Sequence, residues 1–327
     1  MRKEEMVNSE GNVVQGNQTI YYFMSATRCL PNGDPANGNK PRVDNFTGKG
    51  IITDGRLKRY IRDYVMDVFG EDMLLPYDIT EEKMKDRIKA ISSSSNEEMN
   101  DEVYNLLTSQ YDVRLFGATT NMTEREEGCD KPLNITGPVQ FAEGVSLNEI
   151  GVIGHSITNH FSKASEGSSA NMGKKYIVRH GLYAFDGSIS CLGGQQTGLT
   201  YDDLDKLDKA MLHSYNYKNT SSKKDQEARL YIRVENKSTD KQLEYASKLA
   251  KLNSEKPGNE IEDINDYTLD IDNIIEVINE AKDYIEEITV YHHKDLELES
   301  DYFDNNDFVG YLKDSGYKVN ELSKWSD

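Results

Sequence analysis

The chain has 327 residues, of which 36% are hydrophobic, so it can bury the core of one large domain or of two. Its formal net charge is −19. No apolar run approaches the ~18–20 residues that a membrane helix needs, and residues 1–19 lack the apolar core of a signal peptide. We therefore expect a cytoplasmic protein with no membrane partner.

The first predicted elements are a strand and a helix on either side of a glycine-rich loop. The β-branched and aromatic residues of 19–29 indicate a central strand, with Arg28 at its end. Turn dipeptides mark 30–53 as a loop. Thr53 and Gly70 are typical of a helix start and a helix end. The apolar spacing between them predicts a helix over 54–69 that buries Leu57, Ile61, Tyr64, Val65 and Val68.

The sequence pattern in the middle of the chain predicts an insertion, a strand and a hairpin. Residues 71–110 are highly charged and helical in pattern, which indicates a helical insertion on the core. Arg114 follows in a position that favours an exposed side chain. Residues 135–147 alternate apolar and polar residues and predict a strand with a bend at Gly144. Residues 151–180 are rich in Gly, Ser, Asn and His and predict a long, flexible hairpin.

The remaining predicted elements complete a recurring arrangement. They are a strand over 181–192, a helix over 200–215 with Leu204, Leu207, Met211 and Leu212 inward, a strand over 228–235, a helix near 271–281 and a strand near 285–292. The main elements follow the order β-α-β-β-α-β, which is the ferredoxin-like order. We therefore predict an α+β fold, a modified ferredoxin-like or RNA-recognition-motif palm, as one domain over 1–327 that carries the insertion and the hairpin.

The charge of the chain is unevenly distributed. Residues 260–327 contain 20 acidic and 5 basic residues, a net charge of −15, and the rest of the chain carries only −4. We expect an acidic C-terminal flank over 236–327 attached to a nearly neutral body. Acidic runs are usually solvated faces, and a docking surface for a partner is the alternative.

Residues 32–62 concentrate positive charge in this acidic chain. A loop rich in Gly and Asn leads through a short basic segment into the first turns of the predicted helix. The basic residues are Lys40, Arg42, Lys49, Arg56, Lys58, Arg59 and Arg62. Lysine and arginine neutralise phosphates, and a helix N-terminus adds oriented N–H donors. We predict contact with a nucleic-acid backbone here, although part of the cluster can instead pair with acids of the chain.

The predicted hairpin carries further candidates for RNA contact. Lys163, Lys174, Lys175 and Arg179 make it basic, and Met172 is an apolar residue near its tip. Apolar side chains in such positions can wedge between bases. Random loop composition explains Met172 nearly as well.

No catalytic, metal or cofactor site is predicted. The chain has no nucleophile elbow, phosphate-binding loop or dinucleotide fingerprint. Its histidines form no ligand motif, and its three cysteines (Cys29, Cys129 and Cys191) are far apart. A carboxylate at Asp34 beside a bound RNA backbone would be able to hold a metal ion and cleave. A turn at Asp34-Pro35 is the simpler interpretation, because no second carboxylate occurs in this loop before Asp44.

Several stretches resemble the backbone subunits of Cascade, the CRISPR-associated surveillance complex. The resemblance is carried by N-G-D-P-A-N-G-N-K-P-R-V-D (32–44), T-G-K-G-I-I-T-D-G-R-L-K-R-Y-I-R-D (47–63), D-V-R-L-F-G-A (112–118), I-T-G-P-V-Q-F (135–141) and G-L-Y-A-F (181–185). Within the RAMP superfamily, the chain is most similar to the Cas-seven family of the type I-B group, with type I-C close by. The resemblance covers roughly 19–235 and is only loose beyond it.

This resemblance implies a non-catalytic scaffold that binds CRISPR guide RNA. The insertion at 71–110 would be fingers-like, and a thumb within 163–179 would kink the guide. Lys40, Arg42, Lys49, Arg56 and Arg59 would grip the guide backbone. Copies of the chain would stack into a helical filament that presents the guide to target DNA. The other implied partners are a small capping RAMP subunit, a large subunit and a guide-processing endoribonuclease. The net charge of −19 departs from this pattern, and we expect the acidic residues to lie on the outer face, where they would keep free subunits soluble.

Two other functions are left open by the sequence. The related type III complexes have backbone subunits that cleave RNA with a metal ion, and Asp34 is the candidate residue for that activity. A third possibility is an acidic protein-interaction module that binds no nucleic acid.

Overall fold

The computed structural model describes residues 12–76, 104–105, 107–119, 134–158, 172–217 and 220–325, and only the backbone of 157–158 and 172–173. Most of the predicted insertion at 71–110 and the tip of the predicted hairpin, with Lys163, lie outside these ranges. No helix within the described ranges is long and apolar enough to cross a membrane.

The described ranges contain both strands and helices, and most of the strands are short. The strands are β1 Gln18–Thr27, β2 Gly33–Asp34, β3 Lys40–Pro41, β4 Lys49–Ile52, β5 Gly117–Thr119, β6 Asn134–Thr136, β7 Val139–Phe141, β8 Gly144–Glu149, β9 Val152–Thr158, β10 Met172–Val178, β11 His180–Ile189, β12 Gln226–Asn236, β13 Lys251–Asn253, β14 Thr268–Asp270, β15 Ile285–His292, β16 Leu298–Glu299 and β17 Val319–Glu321. The helices are α1 Asp54–Phe69, α2 Tyr111–Phe116, α3 Cys191–Thr197, α4 Tyr201–Tyr217, α5 Asp272–Glu280 and α6 Phe308–Asp314.

A central sheet with β1 in its middle organises the fold. Its order is β17-β15-β12-β1-β11-β8-β4, with β7 also paired to β11. β1 is antiparallel to both β11 and β12, and Tyr22 lies opposite Phe185 on one side and Tyr231 on the other. The predicted strands at 19–29, 181–192 and 228–235 are confirmed, and so is the α+β class.

Helix α1 has the predicted bounds because both of its ends are set by local chemistry. The hydroxyl of Thr53 accepts a hydrogen bond from the backbone of Arg56, and Gly70 ends the helix in the left-handed conformation. The buried face differs in part from the prediction. Tyr60 is buried, whereas Val68, which was expected inside, is 45% exposed.

The sheet has a hydrophobic core on each face, because successive side chains of a strand point to opposite sides. Tyr22 and Met24 of β1 belong to the first core, which also receives the apolar faces of α1 and α4. Tyr21 and Phe23 belong to the second core. The predicted helix over 200–215 is confirmed as α4, with all four of its expected apolar residues buried.

The second core corrects the expected C-terminal appendage. The segment after Asn236, here called the C-terminal layer, supplies strands β15 and β17 to the central sheet and packs α5 and α6 on its face. The apolar side of α5 consists of Ile274, Ile275 and Ile278, all buried. The predicted helix near 271–281 and strand near 285–292 are confirmed. The many acids conceal this amphipathic pattern when composition alone is considered.

The strand predicted over 135–147 is three shorter strands, β6, β7 and β8. β6 pairs with β5, while β7 and β8 both pair with β11. The expected break is confirmed at Gly144, where β8 starts. A Cβ atom on Gly144 would lie 2.2 Å from the Phe185 ring, so only glycine fits this close approach.

The predicted hairpin is confirmed in its described part. β9 and β10 pair in antiparallel register, from Val152 opposite Val178 to Thr158 opposite Met172. They form a separate two-stranded sheet that rises from the start of β11.

Candidate nucleic-acid interface

The loop before α1 is a compact, hydrogen-bonded structure. β2 and β3 pair, and the carboxylate of Asp34 accepts a hydrogen bond from the backbone N–H of Ala36, which starts a short helical turn. Gly38 and Asn39 then adopt left-handed conformations that return the chain to Lys40. The turn predicted at Asp34-Pro35 is thereby confirmed.

This loop is fastened to the start of α1 by Asn32. The side-chain oxygen of Asn32 accepts hydrogen bonds from both the backbone N–H and the hydroxyl of Thr53, each at 3.0 Å. The backbone carbonyl of Asn32 accepts from the N–H of Arg42 at 3.1 Å. Asn32 thus fixes the basic loop relative to the helix N-terminus.

An open groove of about 580 Å³ lies between this loop and the root of the hairpin. Lys40, Arg42 and Thr53 contribute to the loop side, while Val152 and Tyr176 come from β9 and β10. The ammonium of Lys40 lies over the Tyr176 ring, 5.3 Å from its centroid. The groove therefore combines two cations, two carboxylates (Asp34 and Glu143) and an aromatic surface, and it opens beside the N-terminus of α1.

Arg42 is held only loosely by the chain itself. Its guanidinium is 3.6 Å from a carboxylate oxygen of Asp34, and both side chains are partly exposed. An exposed ion pair of this kind contributes about 0–1 kcal/mol, because water screens it. Arg42 can therefore turn to an incoming phosphate at little cost.

Arg56 and the turn that carries Lys223 and Lys224, called the lysine loop, extend the positive surface beyond the groove. The guanidinium of Arg56 stacks on the Tyr60 ring, 4.0 Å from its centroid. Burial and the neighbouring Arg56 lower the pKa of Lys223, and Asp63 partly offsets this effect. The sequence prediction missed Lys223 and Lys224, although the T-S-S-K-K-D run at 220–225 was a readable signal for a basic turn.

Arg28 joins this surface at the end of β1. Its side chain is exposed, and its backbone adopts the left-handed conformation with φ of 45°. The N–H of Arg28 donates to the carbonyl of Arg179 at the hairpin root, at 2.9 Å. Lys175 donates to the carbonyl of Ser221 at 3.1 Å, and Lys174 beside it is exposed. The hairpin root, Arg28 and the lysine loop are therefore neighbours.

Three other candidate residues are placed less favourably or less completely. Arg179 pairs with Glu262 at 3.0 Å and is only partly exposed. Lys49 is half-buried on β4, opposite Glu149 in the register of β8. Met172 is placed by its backbone alone, at the far end of β10.

The basic residues in the second turn of α1 are engaged within the chain. Lys58 pairs with Asp54 at 3.1 Å, and its side chain is only 12% exposed. Arg59 pairs with Asp63 and donates to the carbonyl of Leu75 at 3.1 Å. Binding a phosphate would require both side chains to leave these contacts, and their role in RNA binding stays a prediction.

Arg62 behaves in the same way, pairing with Asp112 at 3.0 Å. The alternative that part of the cluster pairs with acids of the chain is confirmed for these side chains.

The exposed position expected for Arg114 is wrong. Arg114 lies on α2, and its side chain is only 17% exposed. Its guanidinium donates to both carboxylate oxygens of Asp203, at 2.8 and 3.1 Å, and lies 3.5 Å from Glu71. These acids hold the pKa of Arg114 above its usual value despite partial burial. Arg114 therefore joins α2 to α4, and we leave it out of the interface.

The family of the chain is decided by its match to a family model. Residues 16–272 match the model described as CRISPR-associated protein Cas7. The chain belongs to the Cas7 family.

Three similar proteins have low sequence identity to this Cas7-family chain. CRISPR-associated protein Cas7 of Haloferax volcanii is 29% identical, over 93% of this chain and 95% of that protein. A chain of a solved CRISPR RNA-guided surveillance complex, pre-nicking, is similar over 92% of this chain and all of its own length, with 12% identity and a TM-score of 0.49. A chain of another CRISPR RNA-guided surveillance complex has the same coverage, 13% identity and a TM-score of 0.45.

Asp34 of this Cas7-family chain lines the groove, but its carboxylate already has partners. One oxygen accepts from the N–H of Ala36 at 3.2 Å and lies 3.6 Å from the Arg42 guanidinium. Within the ranges that the structure describes, no three His, Cys, Asp or Glu side chains come together as a metal-ion site.

Proposed function

We propose that this chain is a backbone subunit of a type I CRISPR Cascade surveillance complex and binds guide RNA along its phosphate backbone. The observation that carries the proposal is the groove in which Lys40 and Arg42 meet the N-terminus of α1 and the ring of Tyr176. Membership of the Cas7 family supports it.

The chemistry of this groove suits binding that is independent of base sequence. Its two cations neutralise phosphates and carry no base information. Tyr176 offers an aromatic face, on which any base can stack. In a guide complex, base pairing itself reads the target, so the protein needs only to hold the backbone.

We propose further that the central sheet is a modified ferredoxin-like palm. The order β12-β1-β11-β8 supports this, because the first main strand lies between the third and the fourth. The β9–β10 hairpin would be the thumb and residues 71–110 the fingers-like insertion. Copies of the chain would stack into a helical filament that presents the guide to target DNA. The other partners would be a capping RAMP subunit, a large subunit and the guide-processing endoribonuclease.

The chain is proposed to be non-catalytic and cytoplasmic. The engagement of Asp34 with Ala36 and Arg42 supports a structural role for that carboxylate. If the assembled complex is incubated with complementary RNA and Mg²⁺, we expect the RNA to remain intact. Periodic cuts that disappear in Asp34→Ala would overturn this part of the proposal.

The groove is tested by reversing the charge of its two cations. We expect Lys40→Glu/Arg42→Glu to abolish co-purification of RNA with the full-length protein. Each lost phosphate contact removes about 0.7 from the slope of log K against log salt for a single strand, so residual binding should have a slope smaller by about 1.4. Lys248→Glu/Lys294→Glu is the matched control, because both lysines are exposed on the C-terminal layer. If the groove variant binds RNA as well as this control does, the assignment of the groove is wrong.

A further inference from the structure

Phe46 is fully exposed at the tip of the turn formed by residues 44–49, with a relative accessibility of 100%. A single exposed aromatic side chain is common on protein surfaces and by itself indicates no function. Phe46 differs because the turn that presents it is held rigidly and projects from the rim of the groove.

The rigidity of the turn comes from Asp44. Its two carboxylate oxygens accept from the N–H of Phe46 at 3.0 Å and from the hydroxyl of Thr47 at 2.7 Å. Its backbone carbonyl accepts from Gly48 at 2.8 Å, and its N–H donates to Lys49 at 2.9 Å. These hydrogen bonds also hold the pKa of Asp44 below its usual value, so the carboxylate stays ionised as an acceptor. Little backbone conformational entropy therefore remains to be lost when Phe46 binds a partner.

The position of the turn connects it to the groove. Val43 and Asn45 both line the groove, and Val43 forms a bridge with Gly50 at the base of the turn. Phe46 follows Asn45 directly and therefore stands at the rim, on the loop that also carries Arg42. Tyr176 lies on the opposite side. Cations flanked by aromatic rings are typical of surfaces that bind single-stranded nucleic acid.

We propose that Phe46 stacks on an unpaired base of the nucleic acid that occupies the groove. This inference rests on the proposed function and adds a base-stacking residue to it. A phenyl ring has no hydrogen-bonding group and every base has a π-face, so the contact tolerates any sequence. The two cations nearby favour a nucleic acid over an apolar patch of a second copy, and the second copy becomes an outcome of the test.

The test compares Phe46→Ala, Phe46→Leu and Phe46→Trp in the full-length protein, with single-stranded RNAs that carry 2-aminopurine at successive positions. Stacking on an aromatic side chain is worth about 1–3 kcal/mol per base, so Phe46→Ala should weaken binding by about fivefold or more, with an unchanged salt slope. Phe46→Trp should retain the affinity and the fluorescence quenching at one position, and Phe46→Leu should lose both. Tyr245→Ala, which removes another exposed aromatic side chain, should have no effect.

The outcomes separate this inference from the proposed function. If Phe46→Ala binds with full affinity and quenching while Lys40→Glu/Arg42→Glu fails to bind, the groove stands and the stacking role is wrong. If Phe46→Leu binds RNA as well as Phe46→Trp does, and the Phe46 variants differ in the number of protein copies bound per RNA, Phe46 contacts a second copy of the chain. This result also overturns the stacking role. If the parent protein binds no RNA, the proposed function itself fails.

Discussion

His180 makes folding stability dependent on pH at the root of the hairpin. Its side chain is 1% exposed between the end of β1 and the C-terminal layer. One ring nitrogen is 2.9 Å from the hydroxyl of Thr27, and the other is 3.0 Å from the hydroxyl of Tyr267. Burial, assisted by the nearby Arg229, lowers the pKa of His180 from 6.5 to about 4, although two acids partly oppose this shift.

The direction of the pH effect follows from this lowered pKa. The folded state prefers the neutral ring, so the contribution of His180 is complete above pH ~6.5 and is lost as the pH falls towards 4. A difference of about 2.5 pKa units corresponds to about 3 kcal/mol at the acidic limit, since each unit is worth 1.36 kcal/mol. At pH 5 the loss should be about 2 kcal/mol.

Denaturant unfolding of the parent protein and of His180→Gln tests this value. Glutamine supplies one donor and one acceptor but does not titrate. Between pH 7.5 and pH 5, the unfolding free energy of the parent should fall by about 2 kcal/mol more than that of the variant. Other groups with lowered pKa values, such as the partly buried His213 and His292, titrate in both proteins and cancel in the difference.

If the difference in unfolding free energy between the parent and His180→Gln is the same at pH 7.5 and pH 5 within about 0.5 kcal/mol, this reasoning is refuted. If His180→Gln does not fold, NMR titration of the parent protein reports the same quantity. A pKa near 6.5 for His180 would then be the refuting result.

Two further predictions concern the first core and α1. In thermal unfolding, Asp208→Ala should reduce the unfolding free energy by about 3–5 kcal/mol, because the buried Arg233, 2.5 Å from the Asp208 carboxylate, loses its counter-ion. Breaking the exposed Lys313–Glu321 pair should cost less than about 1 kcal/mol in the same assay. Equal losses for the two changes would contradict the argument. Thr53→Ala should reduce the unfolding free energy by about 1 kcal/mol in denaturant unfolding, because the N-terminal cap of α1 is lost. An unchanged unfolding midpoint would mean that Asn32 alone holds the loop.

Those parts of the fold that depend on local signals could be predicted from the sequence. Helix α1 was placed to the residue because Thr53 and Gly70 satisfy the ends of the helix whatever the rest of the chain does. The turns of the loop before α1 could be predicted for the same reason, since they are built from neighbouring Asp, Asn and Gly residues. Lys40 and Arg42 therefore lie on the groove, in the loop for which the sequence predicted a binding surface. The prediction of a loop over 30–53 was wrong at its end, where β4 (Lys49–Ile52) is an edge strand of the central sheet that pairs with β8.

The environment of a side chain is harder to predict when its partner is distant in the sequence. Arg114 was expected to be exposed, but its carboxylate partner Asp203 lies 89 residues further along the chain. No local pattern contains that pair. For Lys58 and Arg59 a signal was present, because each has an acid four residues away on the same helix face, at Asp54 and Asp63. Counting charges without pairing them made both residues look available for RNA.

The C-terminal layer shows why the net charge of −19 says little about the groove. This layer contacts β8 and the hairpin root. Asn148 of β8 donates to the carbonyl of Gly258 at 3.0 Å, while at the hairpin root Arg179 pairs with Glu262 and a ring nitrogen of His180 is within hydrogen-bond distance of the Tyr267 hydroxyl. Exposed charges separated by more than the Debye length, about 8 Å at physiological salt, are largely screened from one another. Acids on the outer side of α5, such as Glu276, are exposed and influence mainly their own surroundings. The contacts of this layer with Arg179 and His180 lie directly after β10, the strand that carries Tyr176.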